Sequence, residues 1–235
     1  MKKIEYLFPE YSYIFAENWN VEYLKRSSKE IEVIETNHKS EPYFVNNKVD
    51  MVYFGCFTEK KQEEVIELLM PYREKIQELI NNGTVFLVTG NSIELFGEYI
   101  LDGERKIDAL NIFPYYSKRY MDVVRHNSLF IGEFNEMKII GHRSQFSFTY
   151  GEIKNPFMKI IKGIGMDKSN NIEGINVNNF YATYSLGPFL VINPNFAKYI
   201  LKLLDISNDL IFEKEAFDAY YFRLDELENG IRKEH

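Results

Sequence analysis

The sequence predicts an α/β fold with a mostly parallel central sheet. In the first half of the chain, short apolar segments alternate with amphipathic ones, and this strand–helix–strand spacing favours parallel strands joined by right-handed crossovers. In the second half, short aromatic segments bounded by turns indicate some antiparallel pairing. The chain has 235 residues, of which 45% are hydrophobic and 27% are charged, as is typical of a single globular domain.

Apolar periodicity defines the elements of the first half. Residues 62–81 form the clearest predicted helix, because their apolar side chains fall on one stripe and Asn82-Gly83 supplies a stop signal. The other predicted elements, in order, are a strand at 4–8, a helix at 20–27, strands at 31–34, 49–54 and 84–88, and a helix at 92–100.

The second half is predicted to be richer in short strands. These are expected at 110–113, 129–134, 138–140, 147–150 and 157–160, and the segments 178–184 and 189–192 flank Leu186-Gly187-Pro188. A predicted helix at 194–204 is followed by a helical pattern at 213–231 and a charged tail. We therefore expect one domain at residues 1–205 and a C-terminal helical extension at 206–235, packed on or beside it.

Charge and cysteine content argue against several classes of function. The net charge is −7 and no dense Lys/Arg stripe is present, so we expect no binding of nucleic acid. Cys56 is the single cysteine, which rules out an internal disulfide and fits a reducing compartment. The four histidines are scattered along the sequence, so we expect no metal site and no cofactor.

Nothing in the sequence has the pattern of a membrane segment. No apolar run approaches the roughly 20 residues that a membrane helix needs. The N-terminal sequence MKKIEYLFP begins with a strand pattern and lacks the apolar region of a secretion signal. We therefore expect a cytoplasmic protein that does not contact the membrane.

The turn at residues 89–92, here called the elbow, has the pattern that α/β enzymes use to present a nucleophile. An apolar strand stops at Thr89-Gly90-Asn91-Ser92, and a helical pattern follows at once. Such a turn lifts one side chain to the carboxyl edge of the sheet, beside the first amides of a helix. The tip falls at or near Gly90, which has no side chain. A shift of one residue would place the stiff, β-branched Thr89 there instead.

Six segments of the chain resemble, in order, the class I glutamine amidotransferases of the cobyric acid synthase type. Within that family the resemblance is to the glutaminase subunit of lipid II isoglutaminyl synthase, which works beside a Mur-ligase-like ATPase. The segments are LFPEY with NVEYLK (7–25), DMVYFGCFTEKKQ (50–62), FLVTGNSIELFG (86–97), IIGHRSQFS (139–147), GIGMDKSNNIEG (163–174) and TYSLGPFL (183–190). The resemblance implies a three-layer, Rossmann-like or flavodoxin-like fold over residues 1–205.

Two positions that carry the family's chemistry are changed in this chain. In the family, a cysteine at the elbow attacks the side-chain amide of glutamine, and a histidine in an H-G-P turn relays the proton. The ammonia that is released leaves for the partner's active site. The resemblance places Gly90 at the cysteine and Leu186 at the histidine. It also places Cys56 at a glycine of the loop that helps to form the oxyanion side of the pocket.

The resemblance implies a vestigial glutamine pocket around the elbow. Its candidate residues are Gly55, Cys56, Thr89, Gly90, Asn91, Ser92, His142, Arg143, Gln145 and Leu186. Arg143 and Gln145 stand where the family has an acid and a histidine. Ser92 also fits a helix cap, Cys56 a buried, inert cysteine, and His142 a surface or packing residue.

Three functional hypotheses follow. Glycine offers no atom for a thioester and leucine cannot transfer a proton, so the first hypothesis is an inactive glutaminase. It would bind a Mur-ligase-like ATPase or another synthetase subunit, or a small molecule in the vestigial pocket. The second is a hydrolase or amidotransferase with a rearranged nucleophile, in which Ser92, Thr89 or Cys56 acts with His142. The third is a subunit that supports amide transfer with ammonia taken from solution.

Overall fold

Strands and helices alternate through the first half of the chain. The computed structural model describes residues 1–123 and 125–230. Its helices are α1 (Asn18–Ser27), α2 (Glu59–Leu69), α3 (Arg73–Asn81), α4 (Phe189–Ile192), α5 (Pro194–Leu203) and α6 (Glu213–Asn229). Its strands are β1 (Lys2–Leu7), β2 (Ile31–Thr36), β3 (Met51–Phe54), β4 (Val85–Thr89), β5 (Tyr99–Asp102), β6 (Arg105–Asp108), β7 (Tyr115–Arg119), β8 (His126–Phe134), β9 (Met137–Gln145), β10 (Ser147–Gly151), β11 (Met158–Lys162), β12 (Ile172–Glu173), β13 (Ile175–Val177) and β14 (Phe180–Thr183).

The central sheet has six strands in the order β13-β14-β4-β3-β1-β2. All neighbours pair in parallel except β13 and β14, which are antiparallel. The prediction of a mostly parallel sheet is therefore confirmed. Because β3, β4 and β14 are adjacent and run the same way, the segments that follow Phe54, Thr89 and Thr183 meet at one edge of the sheet.

Alternate side chains of the central strands face opposite sides of the sheet and build two cores. Val52 and Phe86 belong to a core that includes the apolar faces of α2 and α3. Tyr53 and Leu87, one residue further along each strand, belong to a second core with α1 and α5. The sheet thus lies between two layers, the arrangement in which a sheet buries both of its apolar faces.

The second half of the chain adds two four-stranded sheets, in the orders β10-β7-β5-β6 and β12-β11-β8-β9. Their neighbouring strands are antiparallel, apart from the parallel pair β5 and β7. The antiparallel strands predicted for the C-terminal half are therefore present. The long β8–β9 hairpin inserts Phe130, Phe134 and Ile139 into the second core.

Helix α6 lies on the β8–β9 hairpin. Its Tyr220 and Leu227 form a small apolar cluster with Ile131 and Ile140, and the Tyr220 hydroxyl donates to the carbonyl of Lys138 at 2.7 Å. The helix predicted at 213–231 ends at Asn229, and residues 231–235 of the predicted extension lie outside the described residues. The domain division at residue 205 stays a prediction.

Three predicted elements differ from the structure. Residues 62–81 form two helices, α2 and α3, because Pro71 lies in a 3-10 turn between them. The predicted helix at 92–100 is a 3-10 helix, Gly90–Phe96, followed by β5. The segment 110–113, predicted as a strand, pairs through its amides with carbonyls of Leu95, Phe96 and Gly97 and belongs to no sheet of the described chain.

A buried ion pair gives the first testable prediction. Arg143 and Glu173 are both fully buried and 2.6 Å apart, and the Glu173 carboxylate also accepts from the Thr183 hydroxyl. Glu173→Ala leaves the guanidinium buried without its partner, so we expect a loss of about 3–5 kcal/mol in the free energy of unfolding, measured with urea.

Two variants control this experiment. Asp218→Ala breaks the exposed pair with Lys214 and should leave the unfolding midpoint unchanged, since exposed pairs contribute little. The double change Arg143→Met with Glu173→Leu removes both charges and should recover much of the lost stability. A Glu173→Ala variant as stable as wild type would contradict the prediction.

Candidate functional site

The elbow lies at the carboxyl edge of the central sheet, at the end of β4. Gly90 follows Thr89 directly and has φ +64°, a left-handed conformation that glycine adopts without strain. Its amide donates to the carbonyl of Ser185 at 3.0 Å. The residues after β4 and after β14 therefore run side by side, and Gly90 and Leu186, distant in sequence, are neighbours here.

Side chains of neighbouring loops fill the space in front of Gly90. A Cβ atom built on Gly90 would lie 2.6 Å from Cβ and 3.0 Å from Sγ of Cys56, and 3.1 Å from Cδ2 of Leu186. Contacts this short are strongly repulsive between carbon atoms, whose optimal separation is about 3.5–4.0 Å. Any side chain at position 90 would therefore require Cys56 to move.

The segment that precedes α1 covers the elbow. Gly187 packs so tightly against this segment that a Cβ atom there would lie 2.8 Å from both Glu17 Cα and the Phe15 carbonyl. Ile14 and Phe15 line the cavity that remains in front of Gly90, which has a volume of about 50 Å³. That volume is far below the roughly 300–1,000 Å³ of small-molecule sites, so the elbow cavity has no room for a glutamine.

A buried carboxyl group, that of Glu17, lies under the elbow and joins four segments. One of its oxygens accepts from the Thr89 hydroxyl at 2.6 Å and the Tyr53 hydroxyl at 2.5 Å, and the other accepts from the Gly187 amide at 2.9 Å. Burial raises the pKa of Glu17 to about 7, against the hydrogen bonds from Thr89 and Tyr53, which lower it. The carboxyl group therefore stays largely protonated below pH 7 and is about half protonated at that pH.

A second buried carboxyl group, that of Glu94, lies in the 3-10 helix beyond the elbow. It accepts from the Gln62 amide at 3.0 Å and from the Tyr184 hydroxyl at 3.1 Å. Burial raises its pKa to about 7, although the charge of Arg119 acts in the opposite direction. This side chain anchors the 3-10 helix to α2 and to the residue that follows β14, and it does not line the elbow cavity.

The Cys56 thiol touches the elbow but is a poor nucleophile in this setting. Its side chain is almost completely buried, and burial together with the nearby Glu17 raises the thiol pKa. The thiolate is the reactive form, so the population of reactive sulfur near neutral pH is very small. Its sulfur lies 3.6 Å from the Phe57 carbonyl, its neighbour in the chain.

The structure brings half of the predicted site residues together. The elbow cavity is lined by Cys56, Gly90, Asn91, Gln145 and Leu186. Asn91 holds the cavity wall in place. Its side chain accepts a hydrogen bond from the Phe57 amide and donates one to the Phe57 carbonyl, both at 2.9 Å.

The other five candidates, Gly55, Thr89, Ser92, His142 and Arg143, do not line the cavity. The Thr89 hydroxyl faces Glu17, and the Ser92 hydroxyl donates to the Gly55 carbonyl instead of capping a helix. The backbone carbonyl of His142 accepts a hydrogen bond from the Leu186 amide at 2.8 Å. Arg143 points away, toward Glu173.

Sequence reasoning missed Glu17, Ile14 and Phe15, which close the elbow from the amino-terminal side. Glu17 stands among polar residues before α1, where a carboxylate is ordinarily exposed, so no sequence signal marked it as buried. Arg125 and Phe146 also line the cavity. They come from the aromatic, turn-rich second half of the chain, where the sequence predicts strands but not their mutual placement.

Residues 1–123 and 125–230 contain neither a candidate metal site nor a candidate membrane-spanning helix. No group of three or more His, Cys, Asp or Glu side chains is arranged to hold a metal ion there. In the same ranges, no helix has both the length and the apolar character to span a bilayer.

The raised pKa of Glu17 predicts how stability changes with pH. The folded chain holds this proton up to about pH 7, whereas the unfolded carboxyl releases it near 4.5. The contribution of this proton to the free energy of unfolding is complete below pH 4.5. It falls by roughly 3 kcal/mol as the pH rises from 4.5 through 7. Glu17→Gln should therefore flatten the dependence of the unfolding free energy on pH between 4.5 and 7.

Glu94→Gln should flatten the same window independently, since its pKa is also raised to about 7. Glu67→Gln, on the exposed side of α2, is the control for removing a carboxylate from the surface. Urea unfolding at four pH values across the window provides the comparison. A Glu17→Gln profile parallel to that of wild type would contradict the assigned pKa.

The crowding at the elbow predicts an unusual pair of variants. Gly90→Ala places a methyl group against Cys56 in a left-handed backbone conformation, so we expect a loss of about 2–4 kcal/mol in the unfolding free energy. In the Cys56→Gly background the two closest contacts disappear, and the same change should cost only about 1–2 kcal/mol. Equal costs in both backgrounds, measured by a double-mutant cycle, would show that Cys56 does not fill the space.

Known proteins resemble this chain in sequence and in fold. No family model matches the chain. It is 26% identical over 167 residues to the lipid II isoglutaminyl synthase (glutamine-hydrolyzing) subunit GatD of Streptococcus pneumoniae. That match covers 66% of this chain and 60% of the GatD subunit's length, so part of that relative has no counterpart in the match.

Solved structures show the same relationship at the level of the fold. A crystal structure of a glutamine amidotransferase superposes with a TM-score of 0.59 and 12% identity, covering 86% of this chain and 99% of the other. A glutamine amidotransferase from Thermotoga maritima gives 0.54 and 9%, covering 97% and 92%. The chain therefore has the glutamine amidotransferase fold and is a homologue of GatD.

Proposed function

We propose that this chain is a glutamine amidotransferase-like subunit without glutaminase activity, which acts as the partner of an amide-forming synthetase. The observation that carries the proposal is the elbow itself. The position that corresponds to the nucleophile is Gly90, and Leu186, at the position of the base, lies against it. Neither residue has an atom that can attack an amide or carry a proton.

The dimensions of the elbow cavity support the same conclusion. A glutaminase must admit a whole glutamine, and the cavity in front of Gly90 is about 50 Å³. Cys56 and Leu186 occupy the space that a nucleophile and its substrate would need. In this proposal, the small cavity prevents glutaminase activity in addition to the missing nucleophile and base.

The same contacts speak against a nucleophile elsewhere in the elbow. Thr89 and Ser92 are fully buried and their hydroxyls are engaged in hydrogen bonds. The pKa of the Cys56 thiol is raised by burial. His142, the base of that alternative hypothesis, does not line the cavity. A subunit that supports amide transfer with ammonia from solution remains compatible with the proposal.

The proposed partner follows from the GatD homologue, which is by name a subunit of a synthase. We propose an ATP-dependent, Mur-ligase-like synthetase as the partner, in an amide-forming step of cell-wall or cofactor biosynthesis. The single cysteine fits a reducing compartment, and we propose a cytoplasmic location for the pair.

A glutaminase assay tests the proposal directly. Purified wild-type protein should release no glutamate from glutamine above a buffer blank, alone or with its synthetase. Glutamate release by wild type that Cys56→Ser abolishes would overturn the proposal and identify a rearranged nucleophile.

Reconstruction of the site tests its physical explanation. The triple variant Cys56→Gly, Gly90→Cys, Leu186→His restores the nucleophile and the base and opens the space between them, so it should gain measurable glutaminase activity. The double variant Gly90→Cys, Leu186→His keeps Cys56 and should stay inactive, because the side chain introduced at position 90 would clash with that of Cys56. Equal activity of the two variants would contradict the explanation by volume.

Purification from the native host tests the partner. A tagged chain should enrich an ATP-dependent amide ligase over a tag-only control, as identified by mass spectrometry. Addition of the purified chain should then change the rate of that ligase with ammonia as the nitrogen source. Enrichment of no ligase would remove the partner from the proposal while leaving the assay result for glutaminase intact.

A further inference from the structure

A second and much larger cavity lies next to the elbow, where the two four-stranded sheets meet. Its volume is about 740 Å³, within the roughly 300–1,000 Å³ that small-molecule sites occupy. It shares Arg125, Gln145 and Phe146 with the elbow cavity. We call this second cavity the aromatic cleft.

Aromatic rings form much of the lining of the aromatic cleft. Phe148 is the central ring, with the rings of Tyr120 at 6.1 Å and His126 at 5.3 Å between centroids. The hydroxyls of Tyr120 and Tyr150 are hydrogen-bonded to each other at 2.9 Å. The rings are held in place by these contacts, and stacking on such rings stabilises planar ligands.

The charge of the aromatic cleft is opposite to that of the chain as a whole. Arg125 and Lys168 bring two cationic groups, whose charged ends lie 4.6 Å from the Phe146 ring and 5.6 Å from the Phe148 ring. Among the described residues that line the cleft, Asp167 is the one carboxylate, and it accepts hydrogen bonds from the amide and the hydroxyl of Ser169 at 2.5 Å. Two cationic groups and one carboxylate give the cleft a net charge of +1 in a protein of net charge −7, which favours an anionic ligand.

We propose that the aromatic cleft binds a mononucleotide-sized ligand, in which a planar heteroaromatic base contacts Phe148 and an anionic phosphate contacts Arg125 and Lys168. The size, rings and charge of the cleft each fit this class. A nucleobase offers the flat face that the rings recognise, and a phosphate offers oxygens for the guanidinium and ammonium groups. This proposal does not depend on the absence of glutaminase activity.

Calorimetric titration of the full chain with uridine and adenosine 5′-monophosphates tests the proposal. Both nucleotides should bind, and the corresponding nucleosides, which lack the charge, should bind about tenfold or more weakly. Inorganic phosphate alone should not compete at equal concentration, because it lacks the base. Absence of heat from both nucleotides at about 1 mM would overturn the proposal, as would equal affinity for nucleotide and nucleoside.

Matched charge-reversal variants locate the site. Lys168→Glu should weaken nucleotide binding about tenfold or more. Lys29→Glu makes the same change on an exposed residue just before β2, at the opposite edge of the sheet, and should leave the affinity unchanged. Equal weakening by both variants would show a response to net charge only and would overturn the assignment to this cleft.

A ring variant completes the test. Phe148→Ala should lower the affinity for both nucleotides about tenfold or more through lost stacking, with folding checked by circular dichroism. Because Phe148 is largely buried, Phe148→Leu serves as the second variant, which preserves apolar volume but not the aromatic face. Nucleotide affinity unchanged in Phe148→Leu and in Lys168→Glu would overturn the proposal.

Discussion

The buried carboxyl group of Glu17 is the contact on which the geometry of the elbow depends. It accepts hydrogen bonds from Tyr53 on β3, from Thr89 at the end of β4 and from Gly187 in the loop after β14. These segments are far apart in sequence, and each ends at the same edge of the sheet. One side chain from the segment before α1 therefore ties the covering of the elbow to the ends of the strands that carry it.

Around that contact, the space in front of the elbow is closely packed. Cys56 and Leu186 close the space in front of Gly90, while open volume lies outside, in the aromatic cleft. The two cavities share Arg125, Gln145 and Phe146, so a ligand in the outer cleft would reach the wall of the inner one. The surface beside the elbow therefore has room for a ligand, whereas side chains fill the space in front of Gly90.

The sequence predicts the fold of this chain better than its site. The parallel strands were recognisable because β3 and β4 are continuous apolar runs between turn signals, and the elbow because a glycine-containing turn follows β4. Glu17 and Phe15 were missed, since the burial of Glu17 and the place of Phe15 beside the elbow both result from long-range contacts that no local pattern encodes. The helix expected after the elbow was wrong because all seven residues of Gly90–Phe96 are buried, so their apolar spacing reflects burial on every side rather than one helical face.

The close approach of Cys56 to Gly90 also restricts the paths that the sequence can follow in evolution. A new side chain at position 90 is strongly disfavoured while Cys56 keeps its own, so the order of substitutions matters: position 56 must become small first. Such a step gains nothing by itself and leaves a void in the interior. The present pair is therefore easily kept, and a larger side chain at position 90 is hard to gain one substitution at a time.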